Sequence, residues 1–303
     1  MFNLSPLLMN HISSFLSYLE FEKRNARHTI IAYENDLNQF SSYLSEHSLG
    51  LIENASRKTI RSWVMALMSD GITPVSVNRK IATLRSFYKF LCREEVVEQN
   101  PCQYIDALKT PKRLPVFVQE SAMELMLDQC PFDAGYEGKR DKTMLELFYQ
   151  TGMRLSELTY LRNNQIDLLG KIIIVEGKGS KQRIIPIGKL LDLILKSYLE
   201  IRNQTYGTQQ PDDFFFLTKK GAPVYSKLVY RVVQKHIAMV SSISKKSPHV
   251  LRHTFATILL NHGADIYAIK ELLGHSSLAA TQIYINNDFE RLNSIYKQAH
   301  PRA

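Results

Sequence analysis

The sequence is poor in the features that mark secreted and membrane proteins. Its 303 residues include only three cysteines, and Cys92, Cys102 and Cys130 form no C-x-x-C pair. An odd number of dispersed cysteines argues against a disulfide framework and favours reduced, buried thiols. No apolar run approaches the roughly 20 residues that a membrane-spanning helix needs, and the N-terminal residues lack a signal-peptide pattern. We therefore expect a cytoplasmic protein with no membrane partner.

Internal repeats and low-complexity segments are also missing, which excludes a repeat array and a largely disordered chain. A hydrophobic share of 45% is ordinary for a globular protein. A chain of 303 residues is long for one compact core and sufficient for two domains. Length and composition thus predict a two-domain globular protein and say nothing yet about its chemistry.

Positive charge is in excess and is unevenly distributed. The net charge is +9, yet residues 1–107 hold eleven basic and eleven acidic residues. Within them, the stretch 57–93 carries eight basic residues and a single acidic one, Asp70. Such segregated charge is typical of a protein that holds a polyanion. A basic solvated surface without a partner is the alternative, and charge alone does not decide between the two.

The first hundred residues have the apolar spacing of helices. Apolar residues recur three and four positions apart over 8–19, 30–44, 60–67 and 77–91, and Ser76 is a candidate cap for the last of these helices. The polar side of 76–93 and the basic start of the preceding helix are candidate DNA contacts, because Arg and Lys reach phosphates and Asn or Arg can read base edges. The predicted DNA-binding residues are Arg57, Lys58, Arg61, Asn78, Arg79 and Lys89.

A proline-containing stretch separates the two halves. Asn100-Pro101 ends the helical pattern, and T-P-K-R-L-P at 110–115 places two prolines around two cations. Proline restricts both itself and the residue before it, so this stretch is predicted to be an extended connector. We therefore predict an N-terminal domain at 1–107, a linker at 108–117 and a second domain at 118–303.

The second domain is predicted to be mostly helical with a small antiparallel sheet. Helices are expected at about 119–130 and 139–150. The β-rich runs K-I-I-I-V-E at 171–176 and Q-R-I-I-P-I at 182–187 are joined by G-K-G-S-K, a connection suited to a hairpin. F-F-F-L at 214–217 fits either a further strand or a buried turn, and helices follow to the end. The fold class is mainly α, with the mixed α/β part confined to this domain.

Four residues in the last quarter of the chain suggest a reaction. In order they are His249, Arg252, His275 and Tyr284. An arginine holds a phosphate with a planar fork of donors, and an imidazole can move a proton near neutral pH. A tyrosine hydroxyl can form a covalent intermediate once it is activated. Together they predict covalent phosphoryl transfer without a metal.

A zinc site is the alternative for two of the histidines. His249 and His253 are four residues apart, the spacing at which two imidazoles on one helix can share a metal. The glutamate of H-E-x-x-H is absent, and no third ligand follows at metal spacing. We therefore expect no metal, and we predict that His253 orients a neighbour or packs.

The motifs resemble those of a known family. H-V-L-R-H at 249–253, L-G-H at 273–275, the later tyrosine and the upstream T-G-M-R-L-S-E-L are similar to the motifs of the tyrosine site-specific recombinases, the phage-integrase family. Xer-type bacterial recombinases are the most similar in length and layout. The resemblance covers nearly the whole chain. It implies a helical, SAM-like core-binding domain that contacts DNA, then the linker, then a catalytic domain with a C-terminal tail helix.

The resemblance also assigns roles to residues at the phosphate. It implies that Arg154 and Arg252 bind the scissile phosphate, that His249 carries a proton and that His275 donates to a nonbridging oxygen. Tyr284 is the implied nucleophile, although Ile285-Asn286 replaces the hydroxyl residue and histidine that usually follow it. That departure concerns the local contacts after the tyrosine.

Two further residues have implied roles with alternatives beside them. Glu157 matches the acidic residue that steadies the family's site, and its alternative is a first-turn carboxylate favoured by the helix dipole. Lys178, in G-K-G, matches the family's general acid toward the departing 5′ oxygen. Lys181 and Arg183 are close rivals, since a basic hairpin tip commonly makes nonspecific phosphate contacts.

The resulting prediction is a site-specific DNA recombinase that forms a 3′-phosphotyrosyl intermediate, without metal, ATP or another cofactor. Its partner is double-stranded DNA, held by a homo-tetramer or by a hetero-tetramer with a second related recombinase. The role is chromosome dimer resolution or mobile-element integration and excision. A type IB topoisomerase-like enzyme and a catalytically silent DNA-binding protein are the alternatives. The apolar spacing of Phe289, Leu292, Ile295 and Tyr296 favours a tail that docks on a neighbouring protomer, and packing on its own domain is the alternative.

Overall fold

The computed structural model describes residues 6–110, 116–176, 182–274 and 286–303, apart from the side chains of 6–10 and 286–291. The chain divides into two compact units, Met1–Arg113 and Leu114–Ala303. Each unit has an apolar core of its own. We therefore describe each unit by itself.

The N-terminal unit is a bundle of four helices. They are α1 (Pro6–Ser17), α2 (Arg27–Glu46), α3 (Arg57–Ser69) and α4 (Pro74–Arg93), with a π-helical turn at Tyr18–Glu22 and a 3₁₀ turn at Ile52–Asn54. The predicted apolar stripes face inward, and the largest buried side chains are aromatic: Phe15, Phe40, Trp63, Phe87 and Tyr88. Aromatic side chains bury the most area per residue, so a few of them can hold together a unit of this size.

Helix α4 begins earlier than predicted. Its cap is Thr73 rather than Ser76, and Pro74 is its first residue. The Thr73 side chain accepts a hydrogen bond from the Ser76 backbone N–H. Proline suits the first helical position because its φ is already helical and the missing N–H would have no partner there. The prediction that Ser76 caps this helix was therefore wrong: Thr73 is the cap, and the backbone N–H of Ser76 is the group that it binds.

The C-terminal unit contains eight helices and one small sheet within the described residues. The helices are α5 (Glu120–Glu124), which continues into a π-helical turn at Leu125–Gln129, α6 (Tyr136–Thr151), α7 (Leu155–Thr159), α8 (Lys189–Tyr206), α9 (Ser226–Val240), α10 (Pro248–Asn261), α11 (Ile266–Leu273) and α12 (Asn286–Ala299). The strands are β1 (Ile166–Asp167), β2 (Ile172–Glu176) and β3 (Gln182–Pro186). The fold class predicted from the sequence, mainly α with a small antiparallel sheet, is confirmed.

The sheet has the order β1-β2-β3, and both pairings are antiparallel. The hairpin register pairs Ile174 with Ile184 and Val175 with Arg183. The two-residue strand β1 was not predicted, because so short an element has no periodicity to detect. The run 214–217 forms a buried turn and not a full strand: Phe214 and Leu217 make only isolated bridges, with Arg162 and Pro223 respectively.

Helix α6 is the centre of the C-terminal unit. It packs against α8 and α10, and nearly all of its side chains from Met144 to Thr151 are buried. A second apolar cluster joins α10, α11 and α12, with Phe255, Leu259, Leu292 and Tyr296 among its buried members. The tail helix therefore packs on its own unit in this single chain, which is the alternative named from the sequence, and docking on a neighbouring protomer stays a prediction. An apolar stripe shows that a helix face is covered, but not which chain covers it.

No helix in the described part of the chain combines the length and the apolar character needed to cross a membrane.

Candidate active site

The site begins where α6 ends. Gly152 has φ 60°, a left-handed backbone that favours glycine, and it turns the chain directly into α7. A Cβ at this position would lie 2.5 Å from Cδ1 of Phe255 and 2.8 Å from Cδ2 of Leu273. Only glycine therefore allows this turn to approach α10 and the end of α11. Arg154 stands at the helix entry, in the N-cap position of α7.

Arg252 enters the same space from α10. Pro248 begins this helix, and Arg252 is buried in its second turn. Its Nη1 donates to the carbonyl of Gly152 at 2.6 Å, and its Nη2 donates to the carbonyl of Leu273 at 2.5 Å. His249, one turn earlier and therefore on the same side of the helix, is exposed. The two residues thus provide an anchored cation and an accessible imidazole on one helix face.

Arg154 is held by a neighbouring carboxylate. Its Nη1 donates to Oε1 of Glu157 at 2.8 Å, and its backbone N–H donates to Oε2 at 2.7 Å. Its Nη2 donates to the carbonyl of Gly274 at 3.0 Å. The side chain of Arg154 is nevertheless 33% exposed, whereas that of Glu157 is 2% exposed. The buried Glu157 therefore fixes the orientation of Arg154, and part of the guanidinium remains exposed and can bind a ligand.

Arg183 is a member of this cluster that sequence reasoning missed. The sequence suggests Arg183 only as a rival of Lys178 at the hairpin. In the structure Arg183 is only 4% exposed. Its Nη1 and Nη2 donate to the two oxygens of Glu157 at 2.7 and 2.8 Å, and its Nε donates to the carbonyl of Leu272 at 2.8 Å. One signal could have found it: Arg183 shares a strand face with the buried Ile185 two residues on.

The electrostatics of the cluster favour an anion. Burial alone would raise the pKa of the Glu157 carboxyl, but the hydrogen bonds and charge of Arg183, followed by those of Arg154, lower that pKa to about 2. Burial, then the charges of Arg154 and Arg183, lower the pKa of Arg252 to about 10. Arginine stays protonated in proteins, so at neutral pH the cluster holds three guanidiniums and one carboxylate, with Arg154 and Arg183 bonded to Glu157 and Arg252 bonded to backbone carbonyls. The cluster carries two surplus positive charges, which suits a phosphate.

Three predicted catalytic residues lie outside the described residues: Lys178, His275 and Tyr284, as does Lys181. Their neighbours in sequence are described. Strand β2 ends at Glu176 and β3 begins at Gln182, so Lys178 belongs to the segment that joins two paired strands. Helix α11 ends at Leu273, and Gly274, with φ 63°, is its C-cap. The structure thus brings together Arg154, Glu157 and Arg252, with His249 on the helix of Arg252.

The predicted metal alternative finds no support in geometry. His253 is exposed on α10. Within the described ranges, no group of three or more histidine, cysteine, aspartate or glutamate side chains could hold a metal ion.

Two of the predicted DNA contacts in the N-terminal unit have other partners. The Asn78 side chain donates to the Leu108 carbonyl at 2.9 Å and accepts from the Leu108 N–H at 2.8 Å, so both halves of its amide are occupied. Asn78 therefore fastens the segment after α4, and a base edge would have to compete with the Leu108 backbone for its amide. Both Nη atoms of Arg79 donate to the buried Asp36 carboxylate. A phosphate would have to compete with that carboxylate for Arg79.

The other four predicted contacts are exposed cations. Lys58 and Arg61 lie on the outside of α3, and Lys89 lies on the outside of α4. Arg57 is also exposed, with its guanidinium 5.8 Å from the centre of the Tyr104 ring. These positions are open to a polyanion.

Comparison with known proteins identifies the class. Residues 116–291 match the phage integrase family, and residues 12–95 match the N-terminal SAM-like domain of phage integrases. The chain belongs to the phage integrase family, and the resemblance drawn from its motifs is confirmed. It is a tyrosine recombinase of the XerC and integrase type, a DNA strand-transferring enzyme.

Particular relatives span almost the whole chain. Tyrosine recombinase XerC of Bacillus subtilis (strain 168) is 36% identical to this chain. The matched region covers 97% of this chain and 97% of that relative. Tyrosine recombinase XerC of Oceanobacillus iheyensis is 38% identical to this chain. The matched region covers 97% of this chain and 96% of that relative.

Solved structures share the fold. XerH bound to its difH substrate has a TM-score of 0.69 at 20% identity, with 95% of this chain and 96% of that chain covered. A lambda integrase tetramer bound to a Holliday junction has a TM-score of 0.64 at 18% identity, with 91% of this chain and 80% of that chain covered.

Proposed function

We propose that this enzyme recombines specific DNA sites through a 3′-phosphotyrosyl intermediate on Tyr284. One observation carries the proposal: Arg154 and Arg183 bind the carboxylate of Glu157, Arg252 is anchored beside them on the carbonyls of Gly152 and Leu273, and Arg154 remains 33% exposed. A cluster with surplus positive charge and fixed geometry is suited to a group that gains negative charge during reaction. The scissile phosphate of DNA is such a group.

Arg154 and Arg252 neutralise the phosphorane in this proposal. A guanidinium has five N–H donors, and the described contacts of each arginine to Glu157 or to backbone carbonyls use only part of that set. The remaining donors are available to the nonbridging oxygens. Because the anchoring contacts exist before DNA binds, little reorganisation is required when the charge develops. His275 adds a donor to a nonbridging oxygen.

The chemical step exchanges one phosphate ester for another. The Tyr284 oxygen attacks phosphorus while the bond from phosphorus to the 5′ oxygen breaks, and His249 carries the phenolic proton. Lys178 gives a proton to the departing 5′ oxygen, which becomes a hydroxyl. The phosphate remains an ester, so attack by the 5′ hydroxyl of another strand regenerates Tyr284. The cycle balances without ATP, a metal or a redox partner.

The domain roles follow the same proposal. Residues 1–107 form a core-binding domain that contacts DNA with Arg57, Lys58, Arg61 and Lys89, which are all exposed. Residues 108–117 form a linker, and 118–303 form the catalytic domain with its tail helix. Contacts of arginine and lysine with phosphates supply most of the affinity of such a domain and make that affinity fall as salt rises.

We place the reaction in a cytoplasmic tetramer that holds two duplexes. The lambda integrase structure that shares this fold is a tetramer on a Holliday junction, which supports the assembly. Full-length similarity to XerC recombinases supports chromosome dimer resolution at cell division over mobile-element integration. The four protomers are either copies of this chain or pairs of this chain and a related recombinase.

Substitution of the nucleophile tests the proposal. Tyr284→Phe should bind a target duplex as the unmodified enzyme does, because phosphate contacts dominate affinity. It should form no covalent adduct on a nicked substrate that traps the cleaved strand. The measurement is a denaturing gel of labelled DNA before and after protease. A protease-sensitive adduct from the variant would show that Tyr284 is not the nucleophile.

A further inference from the structure

Arg183 is the most deeply enclosed of the three arginines around Glu157. Its side chain is 5% exposed, against 33% for Arg154. Both Nη atoms bind the two oxygens of Glu157, a bidentate arrangement that only a planar fork can make. The Glu157 carboxylate thus receives two hydrogen bonds from Arg183 and two from Arg154. Arg183 cannot reach a phosphate at the surface, but it fixes the carboxylate that aims Arg154.

The remaining donor of Arg183 points to the end of α11. Its Nε binds the Leu272 carbonyl, Arg252 binds the Leu273 carbonyl and Arg154 binds the Gly274 carbonyl. The last carbonyls of a helix have no partner within the helix and carry partial negative charge. Here three consecutive carbonyls each take a different guanidinium. The segment that begins with His275 starts directly after them in the sequence.

Close packing shows that Arg183 and this turn are fitted to each other. A Cβ on Gly274 would lie 3.0 Å from Cδ of Arg183. Arg183 also pairs in register with Val175 of β2. It therefore connects the hairpin that leads to Lys178, the first turn of α7 and the last turn of α11.

We propose that Arg183 is a positioning residue for strand cleavage. Resting on the function proposed above, it acts through Glu157 to hold Arg154 toward the scissile phosphate, and through Leu272 to hold the turn before His275. Loss of Arg183 would leave DNA binding largely intact and impair the chemical step. Lysine is a poor replacement, since an ammonium cannot grip both carboxylate oxygens and the carbonyl in this fixed planar geometry.

The test compares Arg183→Met and Arg183→Lys with the unmodified enzyme. We expect single-turnover cleavage to fall about 100-fold for Arg183→Met, the size expected from misplacing a catalytic group by about 1 Å. DNA affinity by gel shift should stay within a few-fold, and Arg183→Lys should restore the rate only in part. Should Arg183→Met not fold by circular dichroism, Arg183→Lys carries the comparison.

A matched control separates positioning from general destabilisation. Arg140 is also buried and bonded to a carboxylate, that of Asp141, and to the Leu217 carbonyl. It lies outside the cluster around Glu157. Arg140→Met should lower the unfolding midpoint comparably while changing cleavage only as far as the folded fraction falls.

A substrate that is uncharged at the scissile phosphate tests whether the loss of cleavage in Arg183→Met acts through Arg154. Replacing one nonbridging oxygen of the scissile phosphate by methyl removes the charge that Arg154 neutralises. If Arg183 acts through Arg154, the deficits of Arg183→Met and Arg154→Ala should both shrink on this methylphosphonate, and that of Arg140→Met should not. The double variant Arg183→Met with Glu157→Gln should cleave faster than the two single losses multiplied together would give, because part of the effect of Arg183 passes through Glu157.

Three results would overturn the inference: unimpaired cleavage by Arg183→Met, a deficit unchanged on the methylphosphonate, or fully additive losses with Glu157→Gln. Failure of the underlying function is distinguishable from these. Unmodified enzyme that forms no adduct, or Arg154→Ala that cleaves at the normal rate, would refute the proposed chemistry whatever Arg183 does.

Discussion

The C-terminal unit contains two ion-pair clusters that are built on buried arginines and differ in the sign of their net charge. The first cluster holds one carboxylate, Glu157, which binds Arg154 and Arg183, and a third guanidinium, Arg252, which binds backbone carbonyls beside them. At the tail, Arg302 alone binds two carboxylates, Asp128 at 2.7 and 2.9 Å and Glu146 at 2.7 Å. The first cluster has positive charge to spare and is suited to an incoming anion. The second, in which Arg302 and Glu146 are buried and Asp128 is half exposed, has surplus negative charge, so it serves to hold the tail in place.

Burial has opposite consequences for the central carboxylates of the two clusters. Burial raises the pKa of Glu146, and the charge of Arg302 opposes it without reversing the shift. At Glu157 the arginines reverse the effect of burial and lower the pKa to about 2. The number of cations beside each carboxylate, rather than burial itself, therefore sets the direction of the pKa shift of these two glutamates.

The largest expected effect comes from removing a cation from the first cluster. Arg154→Ala or Arg252→Ala should slow cleavage about 10²–10³-fold, the usual loss when one preorganised donor to a developing charge is removed. A substrate with sulfur at the 5′ bridging position should not restore these variants, because the charge on the nonbridging oxygens remains. The measurement is single-turnover cleavage of both substrates.

Lys178→Ala is the matched contrast for that experiment. A thiolate, whose thiol has a pKa of about 8.5 in cysteine, leaves without a proton donor. The lysine variant should therefore cleave ordinary DNA slowly and the sulfur substrate at nearly the normal rate. Restoration of the arginine variants but not of the lysine variant would invert the assigned roles, and restoration of none would make Lys181 the next candidate acid.

Removing the cation from the second cluster should affect folding rather than chemistry. Arg302→Met leaves the fully buried Glu146 without its ion-pair partner, which should cost about 3 kcal/mol of unfolding free energy. Cleavage by the folded fraction should remain near normal. Urea unfolding and single-turnover cleavage check the two halves, and a large catalytic loss in fully folded protein would contradict the separation of the clusters.

A smaller effect is expected from pH at the tail. Burial lowers the pKa of His300 from 6.5 to about 4. Below pH 6.5 the unfolded chain binds a proton that the folded state rejects until about pH 4, so stability should fall as pH decreases through that window. The loss between pH 7.5 and 5 should be about 2 kcal/mol. His300→Gln, which keeps a donor for the Tyr149 carbonyl, should reduce this pH dependence in urea unfolding. An identical slope in the variant would assign it to another group.

The smallest effect should come from Glu146→Gln. This change removes one of two carboxylates from Arg302, which keeps its bidentate contact with Asp128. Because burial already disfavours the charge on Glu146, stability at pH 7.5 should change by less than about 1 kcal/mol. A loss as large as that of Arg302→Met would mean that Glu146, not the charge balance, holds the tail.

Local signals predicted much of the fold and of the site. The N-terminal helices and the hairpin of 171–176 with 182–187 were predicted because periodicity and turn composition depend only on neighbouring residues. Arg154, Glu157 and Arg252 were found through short motifs of nearly consecutive residues. The roles of the predicted catalytic residues remain predictions, since Lys178, His275 and Tyr284 lie outside the described residues.

The misassigned residues depend on partners far away in sequence. Asn78 looked like part of a free polar face, but its partner Leu108 is thirty positions later. Arg183 looked like part of a basic hairpin tip, and its carboxylate belongs to α7. The tail stripe was correctly expected to be buried, but periodicity carries no information on which chain provides the covering surface. Because the tail helix packs on its own unit here, it gives no evidence for or against an assembly of protomers. The assignment of the chain to the recombinases depends on the family match.

The contacts at the end of α11 also affect how segments could be exchanged between relatives. Arg183, Arg252 and Arg154 bind the backbone of Leu272, Leu273 and Gly274, so the side chains at 272 and 273 do not make these bonds. A graft that preserves the number of residues in α11 would present the same carbonyls even with a different apolar sequence. A graft one residue shorter would offer each guanidinium the wrong carbonyl. Chimeras made in this region therefore need matched length before matched sequence.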